Sequence, residues 1–127
     1  MKANEIKINN WINYNSCNLK INSIIHPEPF IGQNYSNKWL IAVDNNCLTV
    51  TLDKINPIPL SEEWLTNLGA KKYKKFIIHD RFVLQWINGH NYWYVTDANF
   101  QSYITKIEFV HEWQNLFFEL TKKELTL

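Results

Sequence analysis

The chain has 127 residues, of which 46% are hydrophobic and 15% aromatic, with six Trp, seven Phe and six Tyr. That is ample for a packed core, excludes a disordered chain, and suits one domain. A net charge of +1 gives no global pull toward nucleic acid or an anionic membrane, so an electrostatic partner must be read from local patches.

The opening MKANEIKINNWI has no continuous apolar run of the kind a signal peptide needs. No segment approaches the roughly 18 apolar residues of a membrane span. The expected location is therefore the cytoplasm, without a membrane partner. Cys17 and Cys47 lie in strand-like runs and are expected as reduced, partly buried thiols.

Residues 4–25 read as β structure. Ile6 and Ile8 alternate with charged neighbours, Trp11-Ile12 follows an Asn-Asn turn, and Leu19, Ile21 and Ile24-Ile25 follow a turn at Asn15-Ser16. Pro27, Pro29 and Gly32 predict an exposed loop from His26 to Asn37. Lys38 to Val43 is a predicted strand, Asp44-Asn45-Asn46 a tight turn, and Cys47 to Leu52 the returning strand, apolar at Leu48, Val50 and Leu52. Pro57 and Pro59 exclude helix and central strand, which leaves an extended connector. Ser61 then caps a short helix with Glu62 and Glu63 in its first turn. Leu60 and Leu65 stand at the positions of a hydrophobic staple, and Gly69 is the expected terminator.

A meander follows, with strands predicted at Tyr73 to Ile78, Arg81 to Ile87, Tyr92 to Val95 and, shorter, Ser102 to Ile104. Asn88-Gly89 is the strongest turn signal in the chain. A two-residue loop there sets Ile87 opposite His90. Phe82, Leu84, Trp86, Trp93 and Val95 then share one face, and Arg81, Val83, Gln85, Ile87, Tyr92 and Tyr94 the other. The stretch Ile104 to Leu127 reads as an amphipathic helix with Val110, Trp113, Phe117 and Leu120 in one stripe, widened by Phe109 and Leu116. It is expected to seat on the Phe82 face, where burial of the five strand side chains would contribute about 1.5–3 kcal/mol each.

The fold class is thus α+β, a single domain over 1–127. An N-terminal bent, SH3-like β-sheet occupies 1–55 and a proline connector 56–60; the short helix, antiparallel meander and long terminal helix occupy 61–127.

The residues predict no enzyme. No pair among His26, His79, His90 and His111 has metal-ligand spacing, and there is no Cys-x-x-Cys. Three glycines leave little room for a phosphate loop, and no Ser or Cys sits in a nucleophile context. His79-Asp80-Arg81 invites comparison with metal-dependent phosphohydrolases, but turn chemistry accounts for Asp80. His111 beside Glu112 could be imagined as a pair, but adjacent helical residues point apart, and a boundary histidine bonding locally is the plainer reading. No catalytic residue, metal, cofactor or small-molecule substrate is expected.

One local patch stands out. Lys71, Lys72, Lys74 and Lys75 flank Tyr73, with Arg81 near across the hairpin. On a single strand, Lys72 and Lys74 would project on the same side as Tyr92 and Tyr94. Cations interleaved with exposed aromatics can hold a nucleic-acid backbone and stack bases, or meet an acidic protein surface. The plain alternative is a solvated edge strand whose lysines discourage sheet-to-sheet association.

Three segments carry a resemblance: Met1-Lys2-Ala3-Asn4-Glu5, then Pro57-Ile58-Pro59-Leu60-Ser61-Glu62-Glu63-Trp64-Leu65, then Val110 to Thr121 (VHEWQNLFFELT). In that order, over nearly the whole chain, they resemble a group of small bacterial prophage and mobile-element proteins with an opening like MKANELRIGNW, a central PIPLTEEWL and a closing VHQLQNLYFALTGEEL. Asn9-Asn10 stands where that group has Gly-Asn, which puts a tight glycine turn in doubt, and Lys122-Lys123 where it has Gly-Glu. The group has no catalytic motif to carry over. One member is an anti-CRISPR protein that inhibits the type VI-B effector, an RNA-guided RNase. The resemblance implies a non-enzymatic inhibitor whose partner is a host CRISPR effector nuclease, with or without its guide RNA bound, and which disturbs the handling of that guide RNA. Lys71, Lys72, Lys74, Lys75, Arg81, Tyr92 and Tyr94 are the expected contact residues. The alternative is an RNA- or DNA-binding accessory protein of a prophage using the same hairpin.

Overall fold

A computed structural model describes residues 5–25, 40–43, 48–98 and 102–125. Its elements in chain order are β1 (Trp11–Tyr14), β2 (Cys17–Ile25), β3 (Leu40–Val43), β4 (Leu48–Thr51), α1 (Glu62–Asn67), β5 (Lys71–Tyr73), β6 (Phe76–His79), β7 (Phe82–Trp86), β8 (Trp93–Asp97), β9 (Ser102–Ile107) and α2 (Val110–Thr121). The fold is α+β, mostly strand, with two antiparallel sheets. Two units divide it, Met1–Ile58 and Pro59–Leu127, and the boundary falls inside the proline connector.

The first unit is a sheet in the order β1-β2-β3-β4. Asn15 and Ser16 both take positive φ (48° and 64°) between Tyr14 and Cys17. That backbone matches the right-handed twist of the flanking strands, and asparagine tolerates it. A register shift between Ile21 and Ser23 bends β2. Ile6, Ile12, Ile21, Ile41, Val43, Val50, Leu52 and Ile55 form its core. The two edges, β1 and β4, share no ladder among the described residues.

Three expectations change here. Residues 6–10 are irregular rather than strand, so Ile6 is buried while Ile8 is 51% exposed. Asn9 takes φ 76°, and its N–H donates to the Ile21 carbonyl at 2.8 Å, so the tight turn forms without glycine. Cys17 is exposed rather than partly buried, because it starts β2 directly after the turn. The expected loop from His26 to Asn37, the turn at Asp44-Asn45-Asn46 and Cys47 lie outside the described residues.

The second unit begins with the connector. Leu60 N–H donates to the Glu108 carbonyl at 2.8 Å, and Pro59 bridges Phe109. Ser61 Oγ accepts from Trp64 N–H at 3.2 Å and so caps α1. At the other end Ala70 N–H reaches the Leu65 carbonyl and Gly69 N–H the Thr66 carbonyl, the paired closure of a Schellman motif. Gly69 supplies the φ of 108° that this closure needs.

The meander has five strands in the order β5-β6-β7-β8-β9. The single strand expected from Tyr73 to Ile78 is instead a hairpin that turns at Lys74-Lys75, with Tyr73 opposite Phe76. The fold back puts Lys72 opposite Ile77 and hence, through Ile77 opposite Leu84, on the buried side of the sheet rather than beside Tyr92 and Tyr94. At Asn88-Gly89 the turn forms, with His90 N–H donating to the Ile87 carbonyl at 3.2 Å. The ladder nevertheless stops at Trp86 opposite Trp93, because Gly89 alone takes positive φ (84°) and the two-residue hairpin geometry is not adopted. The register differs from expectation by an even number of residues, so the paired residues keep their faces, whereas Arg81, expected on the outward face, reaches Asp97 on the Phe82 side.

Ile104 to Ile107 continues β9 rather than opening the helix. The helix starts at Val110, where Glu112 Oε1 reaches back to accept from the N–H groups of Glu108 and Phe109, each at 3.0 Å. Its buried positions are Val110, His111, Trp113, Gln114 and Phe117, whereas Leu120, expected in the stripe, is 38% exposed in the last turn. The helix seats on the Phe82 face as expected. The Phe82 ring meets Trp113 edge-on at 6.1 Å and Phe117 at 6.0 Å, and Trp113 and Phe117 lie 5.5 Å apart. Among the described residues no helix is long and apolar enough to cross a membrane.

Candidate functional site

The sheet face turned away from α2 carries a chain of rings. His90 lies 5.0 Å from Tyr92, Tyr92 5.4 Å from Tyr94, and Tyr94 5.4 Å from Tyr103. Strand pleating explains the set: Tyr94 alternates with buried Trp93 and Val95, and a register shift after Val95 lets β9 return Tyr103 to the same side. Lys106 Nζ sits 4.9 Å over the Tyr92 ring. A side-chain hydrogen bond with Tyr94, then burial and the nearby phenols, hold the Tyr92 hydroxyl above its ordinary pKa. Tyr103 is 59% exposed. No acidic residue stands at an outward position of β5 to β9, since Asp97 is paired with Phe82 on the other side.

The expected contact residues are dispersed by the hairpin. Tyr92 and Tyr94 are together. Lys71 is exposed on the same side of the sheet, but on edge strand β5, three strand steps or about 14 Å from β8. Lys72 lies on the helix side and pairs with Glu62 at 3.0 Å. Lys74 and Lys75 form the exposed turn at one end of the sheet, where the 87–92 loop also lies. Arg81 is at the opposite end, held by Asp97 at 3.2 Å with its guanidinium 5.1 Å over Phe82. That ion pair is a structural clasp at the turn between β6 and β7.

At the lysine end a cleft of about 570 Å³ is lined by Lys72, Lys74, Lys75, Gln85, Trp86 and Asn88, among others. Trp86 is 41% exposed and packs at 5.3 Å on Trp93. Trp93 is fixed in turn by an Nε1 hydrogen bond to the Leu60 carbonyl at 3.0 Å. Sequence reasoning placed Trp86 in the core because it alternates with Phe82 and Leu84. It stands at the strand end, with the exposed loop beyond it. Tyr103, Lys106 and His90 were also missed as site members; the one signal for Tyr103 was its place in the short predicted strand.

His79 packs on Phe117 at 4.6 Å and Trp113 at 6.3 Å. Burial lowers its pKa, against an opposing pull from Asp80. It is a half-buried core neighbour at a turn where Asp80 takes φ 56°. Its Nδ1 faces no partner among the described residues. His111 is buried and stacked on Phe109 at 5.9 Å. Among the described residues no three of His, Cys, Asp and Glu are grouped to hold a metal.

Fold and surface together define a small α+β protein that presents a lysine over a chain of neighbouring aromatic rings. No family model, curated protein or solved structure matches the chain.

Proposed function

We propose that this chain is a non-enzymatic binding protein that engages a host RNA-guided RNase of type VI-B and disturbs its handling of guide RNA. The resemblance to the prophage and mobile-element group supplies the partner. The observation that carries an RNA-facing contact is the unbroken ring chain His90–Tyr92–Tyr94–Tyr103 with Lys106 over it and no outward acid on the strands. Stacking on aromatic rings tolerates any base, and the cations meet phosphate.

The test is target-RNA cleavage by the purified effector and guide with increasing amounts of this protein. Inhibition is expected, weakened by Tyr94→Ala with Tyr103→Ala, each lost ring costing about 1–3 kcal/mol of binding. Unchanged cleavage at excess protein removes the reading. The second reading, direct RNA or DNA binding without the nuclease, is favoured by the same face. It predicts a gel shift whose affinity falls steeply with salt as counterions are released.

A further inference from the structure

We propose that the cleft at the Lys74–Lys75 end of the second sheet is a site for a nucleoside monophosphate group, with the base laid on Trp86 and the phosphate held by Lys74 and Lys75. This goes beyond the reading above and needs nothing from the tyrosine face.

Four observations carry it. First, Trp86 offers an exposed ring that is held in place rather than free. It lies on Trp93, and Trp93 is pinned through its indole N–H to the Leu60 carbonyl. A preorganised aromatic plane is what base stacking needs, since little ordering remains to be done on binding. Second, the turn facing it consists of two lysines. Lys74 takes φ 56°, a left-handed conformation in which glycine is unstrained and lysine is not. The pairing of Tyr73 with Phe76 on either side of the turn imposes that conformation and so fixes where the two lysines leave the backbone. Third, the charge at the site is available. The one carboxylate in the lining, Glu62, is already paired with Lys72, which leaves Lys74 and Lys75 as the cations for an incoming anion. Lys74 Nζ sits over the Tyr73 ring at 5.6 Å, on an exposed turn. Fourth, the amide side chains of Gln85 and Asn88 line the same cleft. Each can both donate and accept, which suits a base edge. The volume of about 570 Å³ falls within the range of small-ligand sites, roughly 300–1,000 Å³.

The same group can arrive as a free nucleotide or as the phosphorylated end of an RNA strand. Both are tested on the full chain. AMP, adenosine and inorganic phosphate are titrated by calorimetry and by tryptophan fluorescence. AMP is expected to bind and quench, and adenosine to bind about tenfold more weakly for want of charge-assisted contacts. Trp86→Ala abolishes AMP binding. Lys74→Gly with Lys75→Ala brings AMP down to the adenosine level, and because glycine relieves the turn this variant stays folded, which circular dichroism confirms. An oligonucleotide with a 5′-phosphate binding more tightly than its 5′-hydroxyl form assigns the strand end; equal affinities with AMP binding retained assign the free nucleotide. The proposal is overturned if AMP does not bind at millimolar concentration, if AMP and adenosine bind alike, or if Trp86→Ala binds AMP as the parent does.

Discussion

Trp113 is the centre of the second unit's core, and replacing it tests the account of that core. Its side chain is fully buried and touches the rings of Phe82, Phe117 and His79. Trp113→Ala removes the whole indole, and a buried Trp truncated to Ala costs about 3–5 kcal/mol in transfer and cavity terms. That is a large share of the stability of a small unit, at about 0.05–0.15 kcal/mol per residue. Trp113→Phe divides the effect. The smaller ring leaves a partial cavity worth about 1–2 kcal/mol. The same change deletes an indole N–H that is buried and faces no hydrogen-bond partner among the described residues. Leaving such a donor unmet costs about 1–3 kcal/mol, so its removal offsets the cavity and Phe should be within about 1 kcal/mol of the parent. Urea unfolding followed by circular dichroism gives both numbers as midpoint shifts at unchanged m. A Phe variant as damaged as the Ala variant would refute the argument about the N–H. An Ala variant losing less than about 1 kcal/mol would refute the seating of α2.

Lys122 ends α2 at φ 61° with its N–H on the Phe118 carbonyl at 2.7 Å. Lys122→Gly should therefore raise stability by about 0.5–1 kcal/mol, read as a higher urea midpoint. Glu112→Ala strips the acceptor from two backbone N–H groups at the start of α2 and should cost about 1 kcal/mol, with faster amide exchange at Glu108 and Phe109. His79 is favoured neutral in the folded state, because burial against Trp113, Phe117 and Gly69 lowers its pKa more than Asp80 raises it. The stability it contributes is then fully present above the ordinary value of 6.5 and is lost as pH falls from there toward the lowered folded value. Unfolding midpoints measured down through that window should decline, and His79→Phe should flatten the decline; an unchanged slope in the variant would sink this assignment.

Much of the second unit was legible because its signals are local. Ser61 before Glu62-Glu63, Gly69 after Leu68 and the alternation Phe82-Leu84 against Trp93-Val95 each state one structure by their own chemistry. The turn at Lys74-Lys75 was not legible, since lysine has no turn signature and the strain of Lys74 is overridden by pairing on both sides. That one break decided the site. It moved Lys72 to the helix side and left Tyr92 and Tyr94 with Lys106 instead. Ile104 to Ile107 misled for another reason: Ile104, Ile107 and Val110 recur every three residues, a helical spacing, while the strand that forms there carries an irregular register against β8. Only the ladder to β8 and the reach of Glu112 settle where the helix begins. Trp86 read as core because periodicity says which side a residue faces, not how far the covering helix extends.

Strand order equals chain order in both sheets. In the second sheet each hairpin can therefore close on its own, at the small entropic cost of a short loop, and the meander can zip from any turn. The exception is the pairing of Pro59 and Leu60 with Phe109 and Glu108, which joins the two ends of that run. It closes the longest loop in the second unit and gains nothing until the strands between are in place. It should thus be the last contact made and the first released. Weakening it would quicken unfolding while leaving the refolding rate nearly untouched.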